Sequence, residues 1–166
     1  MKYAIVYQSR TGNTGMLANT LRDLLPQDSL VCFGEPCPQA LEADLLFVGF
    51  WTDKGSCDEK TGAFLKTLTD QKIFLFGTAG FGGSQDYYDK ILAKVRKLLP
   101  AGVTVTGAYL CQGKMPQSVR ERYEKLLKAH APIPNLKGML ENFDHALTHP
   151  DTADLEALSA AVRSQL

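Results

Sequence analysis

The sequence predicts an α/β domain in which a parallel sheet is covered by helices on both faces. Three observations carry this. Short runs rich in β-formers alternate with segments of helical periodicity. The central runs, 43–50 and 72–80, are apolar almost throughout rather than at every second residue, the mark of strands buried on both faces. Small polar residues gather where these runs end, and ligands of such sheets bind beyond the carboxyl ends of the strands.

KYAIVY (2–7) reads as the first strand. Leu17, Leu21, Leu24 and Leu25 place a helix over 14–25, stopped by Pro26. SLVCF (29–33) is a short second strand, and the link that follows it, 34–42, is short. ADLLFVGF (43–50) is the third strand. Residues 56–70 then form a helix opened by a capping box of Ser56 and Glu59, with Phe64, Leu65 and Leu68 on one face. KIFLFGTAG (72–80) is the fourth strand, and Ile91, Leu92, Val95, Leu98 and Leu99 mark a helix over 84–99. VTVTGAYL (103–110) is the fifth strand. Pro116 suits the first turn of a helix carrying Val119, Tyr123, Leu126 and Leu127.

This unit occupies 1–131. The remainder, 132–166, is a C-terminal helical extension packed on the same domain: Leu136, Met139, Leu140, Phe143 and Leu147 lie on one amphipathic helix, and Leu155, Leu158 and Val162 on another after Pro150. Two readings stand for it, a pair of helices docked on the sheet or a dimer contact, so monomer and dimer both remain open.

A chain of 166 residues is long enough for one domain with a sizeable core. Eighteen basic residues balance eighteen acidic ones, which excludes nucleic-acid or membrane-surface binding driven by bulk charge. No apolar run reaches the roughly 20 residues of a spanning helix, and MKYAIVYQS does not resemble a signal peptide, so a cytoplasmic protein is expected. Cys32, Cys37, Cys57 and Cys111 include no CxxC pair, and His130, His145 and His149 lie far from them in sequence. No metal site is expected, and the four cysteines are read as reduced thiols.

The stretch YQSRTGNTGMLA (7–18) is the most informative. A glycine-containing turn that opens a helix offers free backbone N–H groups, reinforced by the helix dipole and by Ser and Thr hydroxyls: a cradle for phosphate. The lysine of a P-loop is missing, and so is the full GxGxxG of a dinucleotide fold.

IVYQSRTGNTGMLANTL resembles the flavodoxin signature, with Ile5, Val6 and Tyr7 in its strand positions and Ser9, Gly12 and Thr14 in its hydroxyl, small-residue and hydroxyl positions. The likeness to a flavodoxin-like domain covers about residues 1–130. It implies a three-layer, doubly wound, five-stranded parallel sheet of order 2-1-3-4-5, with FMN at the switch point. It implies further that the FMN phosphate rests on Ser9, Arg10, Thr11, Gly12, Asn13 and Thr14. Arg10 departs from the family, which binds this phosphate without arginine, and is expected to face solvent. The loop after the third strand, with Phe50, Trp51, Thr52, Asp53, Lys54 and Gly55, would supply an aromatic stacked on the flavin; the other reading of Trp51 is a core residue closing the strand. The loop after the fourth strand, with Thr78, Ala79, Gly80, Phe81 and Gly82, would bring its backbone against the ring; its other reading is a mobile loop. CQGKM (111–115) lacks the insertion of long-chain flavodoxins.

No catalytic side chain follows from this resemblance, because the cofactor carries the chemistry. The function it implies is an FMN-binding electron carrier. The alternative is an FMN-dependent NAD(P)H oxidoreductase acting on quinones or another small organic acceptor, and a flavin-free module on the same fold is a third reading. FVGFWTDKGSCDE, FLFGTAGFGGS, CQGKMP and HPDTADLE also resemble small flavodoxin-like proteins of anaerobic gut bacteria found beside bilirubin-reducing flavoenzymes. That likeness implies redox partner proteins, a flavin reductase or a bilirubin-reductase-like flavoenzyme. Cys57 and Cys111 fall near the expected ring, and a redox role for them would require exposure and a low thiol pKa.

Overall fold

A computed structural model describes all residues from Met1 to Leu166. Five strands form the parallel sheet: β1 (Tyr3–Tyr7), β2 (Leu30–Gly34), β3 (Leu45–Asp53), β5 (Lys72–Ala79) and β6 (Thr104–Gln112). Their spatial order is β2-β1-β3-β5-β6, which is 2-1-3-4-5 when only the parallel strands are counted, as the sequence implied. A two-residue strand, β4 (Ser56–Cys57), pairs antiparallel with the end of β3.

The period-two alternation of strand side chains divides the core into two layers. Ala4, Val6, Leu46, Val48, Phe50, Ile73 and Leu75 point to the face covered by α2 (Glu59–Lys66) and α3 (Gln85–Arg96), where Leu65, Ile91 and Val95 meet them. Ile5, Phe47, Phe74 and Phe76 point to the other face, covered by Leu17 and Leu21 of α1 (Asn13–Leu24) and by Leu158 and Val162 of α6 (Thr152–Arg163). With both faces covered, the central strands need continuous apolar sequence.

The last helix is therefore part of the core. Leu158 and Val162 are fully buried, and such burial is worth about 1.5–3 kcal/mol per side chain. Of the preceding two helices, α4 (Gln117–Lys128) buries only Tyr123, and α5 (Leu136–Ala146) packs against α4, tied to it by the Arg120–Asp144 ion pair.

Three expectations are corrected. The segment after Phe50 is not a loop leading to a Ser56-capped helix: β3 runs on to Asp53 and returns as β4, with Thr52 opposite Cys57 and Asp53 opposite Ser56. Lys54 and Gly55, both at positive φ (51° and 79°), make the two-residue turn, as a tight hairpin with the right-handed strand twist requires. With Ser56 in the hairpin, Asp58 caps α2, its carboxylate accepting from the Thr61 amide (2.9 Å) and the Thr61 hydroxyl (2.8 Å). The link between β2 and β3 is short, as the sequence indicated, and carries a 3-10 helix, Pro38–Glu42. Finally, Cys32 and Cys37 are joined in a disulfide, because the turn through Gly34 and Pro36 brings their Cα atoms to 6.6 Å; only Cys57 and Cys111 are free.

Candidate functional site

The cleft lies at the carboxyl ends of β1, β3, β5 and β6, on both sides of the switch point between β1 and β3. Its floor begins at the phosphate-type loop. Gly12 is the N-cap of α1 at φ 90°, a left-handed conformation suited to glycine, and no side chain caps the helix. The amides of Ser9, Arg10, Thr11, Gly12, Asn13 and Thr14 donate to no protein acceptor. Such a row of N–H groups at the positive end of a helix is an anion site. The next amide, Gly15, is satisfied by the Ser9 hydroxyl at 3.1 Å.

The Thr14 hydroxyl is almost fully buried and bonds the Phe50 carbonyl and the Thr78 hydroxyl, both at 3.1 Å. It ties the start of α1 to the ends of β3 and β5 and so fixes the width of the cleft. Asn13 donates from Nδ2 to the Lys114 carbonyl at 2.8 Å, joining the same loop to the segment after β6. Its Oδ1 is buried with no partner in the protein, as is the Thr52 hydroxyl oxygen, and both residues line the cleft. Buried polar atoms are ordinarily paired. Two unpaired acceptors beside a row of free donors fit a ligand that carries hydroxyl groups on one part and an anion on another.

Of the residues singled out from sequence, Arg10, Thr11, Asn13, Thr14, Trp51, Thr52, Asp53, Thr78, Ala79 and Gly80 line this one cleft. Ser9 and Gly12 support it from the loop, and Phe50 lies fully buried in the core. Lys54 and Gly55 do not line the cleft, and a Cβ at Gly55 would lie 3.1 Å from Lys94 Nζ of α3. Phe81 is exposed on the neighbouring loop, and Gly82 packs on Gln112. Arg10 does not simply face solvent; although exposed, its guanidinium lies 5.3 Å from the centroid of the half-buried Trp51 ring.

Gly113, Lys114 and Pro116 also line the cleft and are not among the site residues singled out from sequence. Gly113 and Lys114 fall in a strand-end loop, which is a signal; Pro116 reads from sequence only as a helix start. The cysteines do not qualify as redox thiols. Cys57 and Cys111 are both buried, and burial is the main reason both thiols ionise above the usual range.

A flavodoxin domain family model matches residues 4–163. The chain is 44% identical over 174 residues to a flavodoxin-like domain-containing protein BilS of Clostridium symbiosum, covering 95% of this chain and 92% of the relative. A protein of the same description from Clostridioides difficile is 28% identical over 173 residues, covering 100% of this chain and 97% of the relative. Among solved structures, oxidised flavodoxin 2 from Bacillus cereus superposes with a TM-score of 0.59 at 15% identity, each chain covered in full. A flavoprotein in complex with FMN from Lactobacillus acidophilus gives 0.53 at 12% identity, covering 66% of this chain and 92% of that one. The fold and the cleft at its switch point define a flavodoxin-type flavoprotein. The chain belongs to the flavodoxin domain family, and the cofactor of that family is FMN.

Proposed function

We propose that this protein holds FMN in the cleft and passes electrons to a partner flavoenzyme. The single observation that carries this is the row of unpaired amides from Ser9 to Thr14, at the start of α1 and beside the half-buried Trp51. In this reading the amides take the phosphate, Asn13 Oδ1 and the Thr52 hydroxyl oxygen accept from the ribityl hydroxyls, and the ring lies between Trp51 and the loop that begins at Gly80. FMN supplies the electron transfer; the chain's own groups bind it, orient it and exclude water from one side.

The partner we propose is a flavoenzyme of the bilirubin-reducing type. The support is the likeness of the Trp51, Gly80 and Gly113 segments to small flavodoxin-like proteins found beside such enzymes, together with the 44% identity to the clostridial relative.

The test begins with the visible spectrum of the purified protein, which should show bound flavin. NADH added without a partner should then leave the flavin oxidised, whereas a reductase and its flavoenzyme acceptor should drive turnover through it. Rapid reduction by NADH alone would point instead to a free-standing NAD(P)H oxidoreductase. A protein that neither carries nor takes up flavin would overturn the proposal.

A further inference from the structure

The loop after β5 is gripped from behind by a polar cluster that joins it to the C-terminal half of the chain. The Gly80 carbonyl accepts from Asn142 Nδ2 of α5 at 3.0 Å and from Gln112 Nε2 at the end of β6 at 3.1 Å. Gln112 Nε2 also donates to Asn142 Oδ1 at 3.0 Å, and its Oε1 lies 3.1 Å from His145 Nδ1.

These bonds fix one another. A carbonyl only accepts, so both side-chain amides must turn their NH2 groups toward Gly80. Gln112 Oε1 then faces His145, whose Nδ1 must carry the hydrogen. Gln112 is buried at 5% exposure, and its approach depends on Gly82, where a Cβ would lie 2.7 Å from the Gln112 side chain.

We infer that Asn142 and Gln112 are positioning residues for the cofactor: by holding the Gly80 carbonyl they fix the Gly80–Phe81 peptide at the edge of the cleft. This rests on the FMN reading. With two donors on it, the carbonyl is saturated and is not free to accept from the flavin. The trans peptide sends the Phe81 N–H to the opposite side, and that N–H has no acceptor in the protein. The loop therefore offers a held donor rather than an acceptor. A donor favours added negative charge on whatever it meets, so the clamp favours the reduced flavin. Flipping this peptide would break both bonds to its carbonyl. Through Asn142, α5 becomes part of the cofactor site.

The test compares Asn142→Ala and Asn142→Asp with wild type and with Glu141→Gln, an exposed neighbour on the same helix. Asn142→Asp keeps the shape and turns a carboxylate toward the Gly80 carbonyl, so it should have the larger effect. In flavin-free protein, backbone order parameters of Phe81 and Gly82 from NMR relaxation should fall in both Asn142 variants and stay unchanged in Glu141→Gln. With FMN, affinity should fall severalfold and the couple for the second electron should become more negative. Lower order with unchanged affinity and potential would overturn the inference, because the clamp would then only brace the loop. Unchanged order would overturn it as well. Should either Asn142 variant fail to fold, Gln112→Glu supplies the same comparison from the other donor. Failure of wild type and Glu141→Gln to bind FMN would overturn the FMN reading itself, a result distinct from failure of the clamp.

Discussion

The Arg10 guanidinium covers one face of the Trp51 indole, 5.3 Å from its centroid, so the two residues that frame the mouth of the cleft hold each other. An exposed pair of this kind is worth about 0.5–1 kcal/mol, while a dianionic phosphate on the adjacent amides attracts the same cation by an amount at least comparable. Arg10 should therefore leave the indole when FMN binds. Arg10→Ala should change the Trp51 emission of flavin-free protein and weaken FMN severalfold at low salt, with the difference shrinking as salt rises. An Arg10→Ala variant with unchanged emission and unchanged FMN affinity at low salt would remove Arg10 from the site. In wild type, Trp51 is the only tryptophan, and saturation with FMN should quench it strongly.

Charge at the cleft sets how readily a second electron is accepted. Arg10, Lys114 and Asp53 line it, whereas Lys54, on the hairpin turn, does not. Lys114→Glu should make the couple more negative by some tens of millivolts, given that about 60 mV corresponds to about 1.4 kcal/mol for one electron. The shift should grow at low salt, and Lys54→Glu should move the couple less. A redox titration in which both reversals shift it equally, or neither does, would contradict this placement of charge.

The α2 cap is buried, with Asp58 at 2% exposure and both its oxygens engaged by Thr61. Asp58→Ala strands the Thr61 amide and should cost about 2 kcal/mol, the upper end for caps. Asp58→Asn should cost less than half as much. Urea unfolding measures both, and a neutral Asp58→Ala would show that α2 does not depend on this cap.

Burial of Cys57 and Cys111 raises both thiol pKa values, with Asp58 adding to the effect on Cys57 and Asp154 to that on Cys111. The folded chain keeps each thiol protonated after the unfolded chain has begun to ionise. Their contribution to stability is complete below the ordinary thiol pKa, about 8.5, and is lost as pH rises toward the folded value. Wild type should lose more stability between pH 7 and pH 10 than Cys111→Ala does. Neither thiol should react with iodoacetamide at pH 8 until the protein is unfolded, and ready labelling of Cys111 in the native protein would refute this.

The sheet was legible because both faces are covered: continuous apolar runs at Leu45–Phe50 and Ile73–Phe76 admit little else. The phosphate-type loop was legible because it is local, one turn opening one helix. What was not legible depends on pairing between distant segments. Nothing in WTDKGSC announces the β3–β4 hairpin ahead of a capping box at Ser56, since both patterns fit the same polar residues. Leu158 and Val162 give α6 an apolar stripe, yet the stripe does not say whether it meets a sheet or a second subunit. Asn142 looks like one more polar position on an amphipathic helix, and only the fold brings it to Gly80. The Cys32–Cys37 pairing likewise depends on the turn between them.

The central claim is that the amides from Ser9 to Thr14 bind the phosphate of FMN. The most direct test titrates flavin-free protein with FMN and, separately, with riboflavin, which lacks only that phosphate, following Trp51 emission. Charge-assisted hydrogen bonds contribute about 1.5–3 kcal/mol each, so two of them already predict a preference for FMN of roughly a hundredfold or more. A hundredfold preference that survives in Asn142→Ala would support the phosphate assignment independently of the clamp. Equal affinity for the two flavins, or no binding of either, would contradict it.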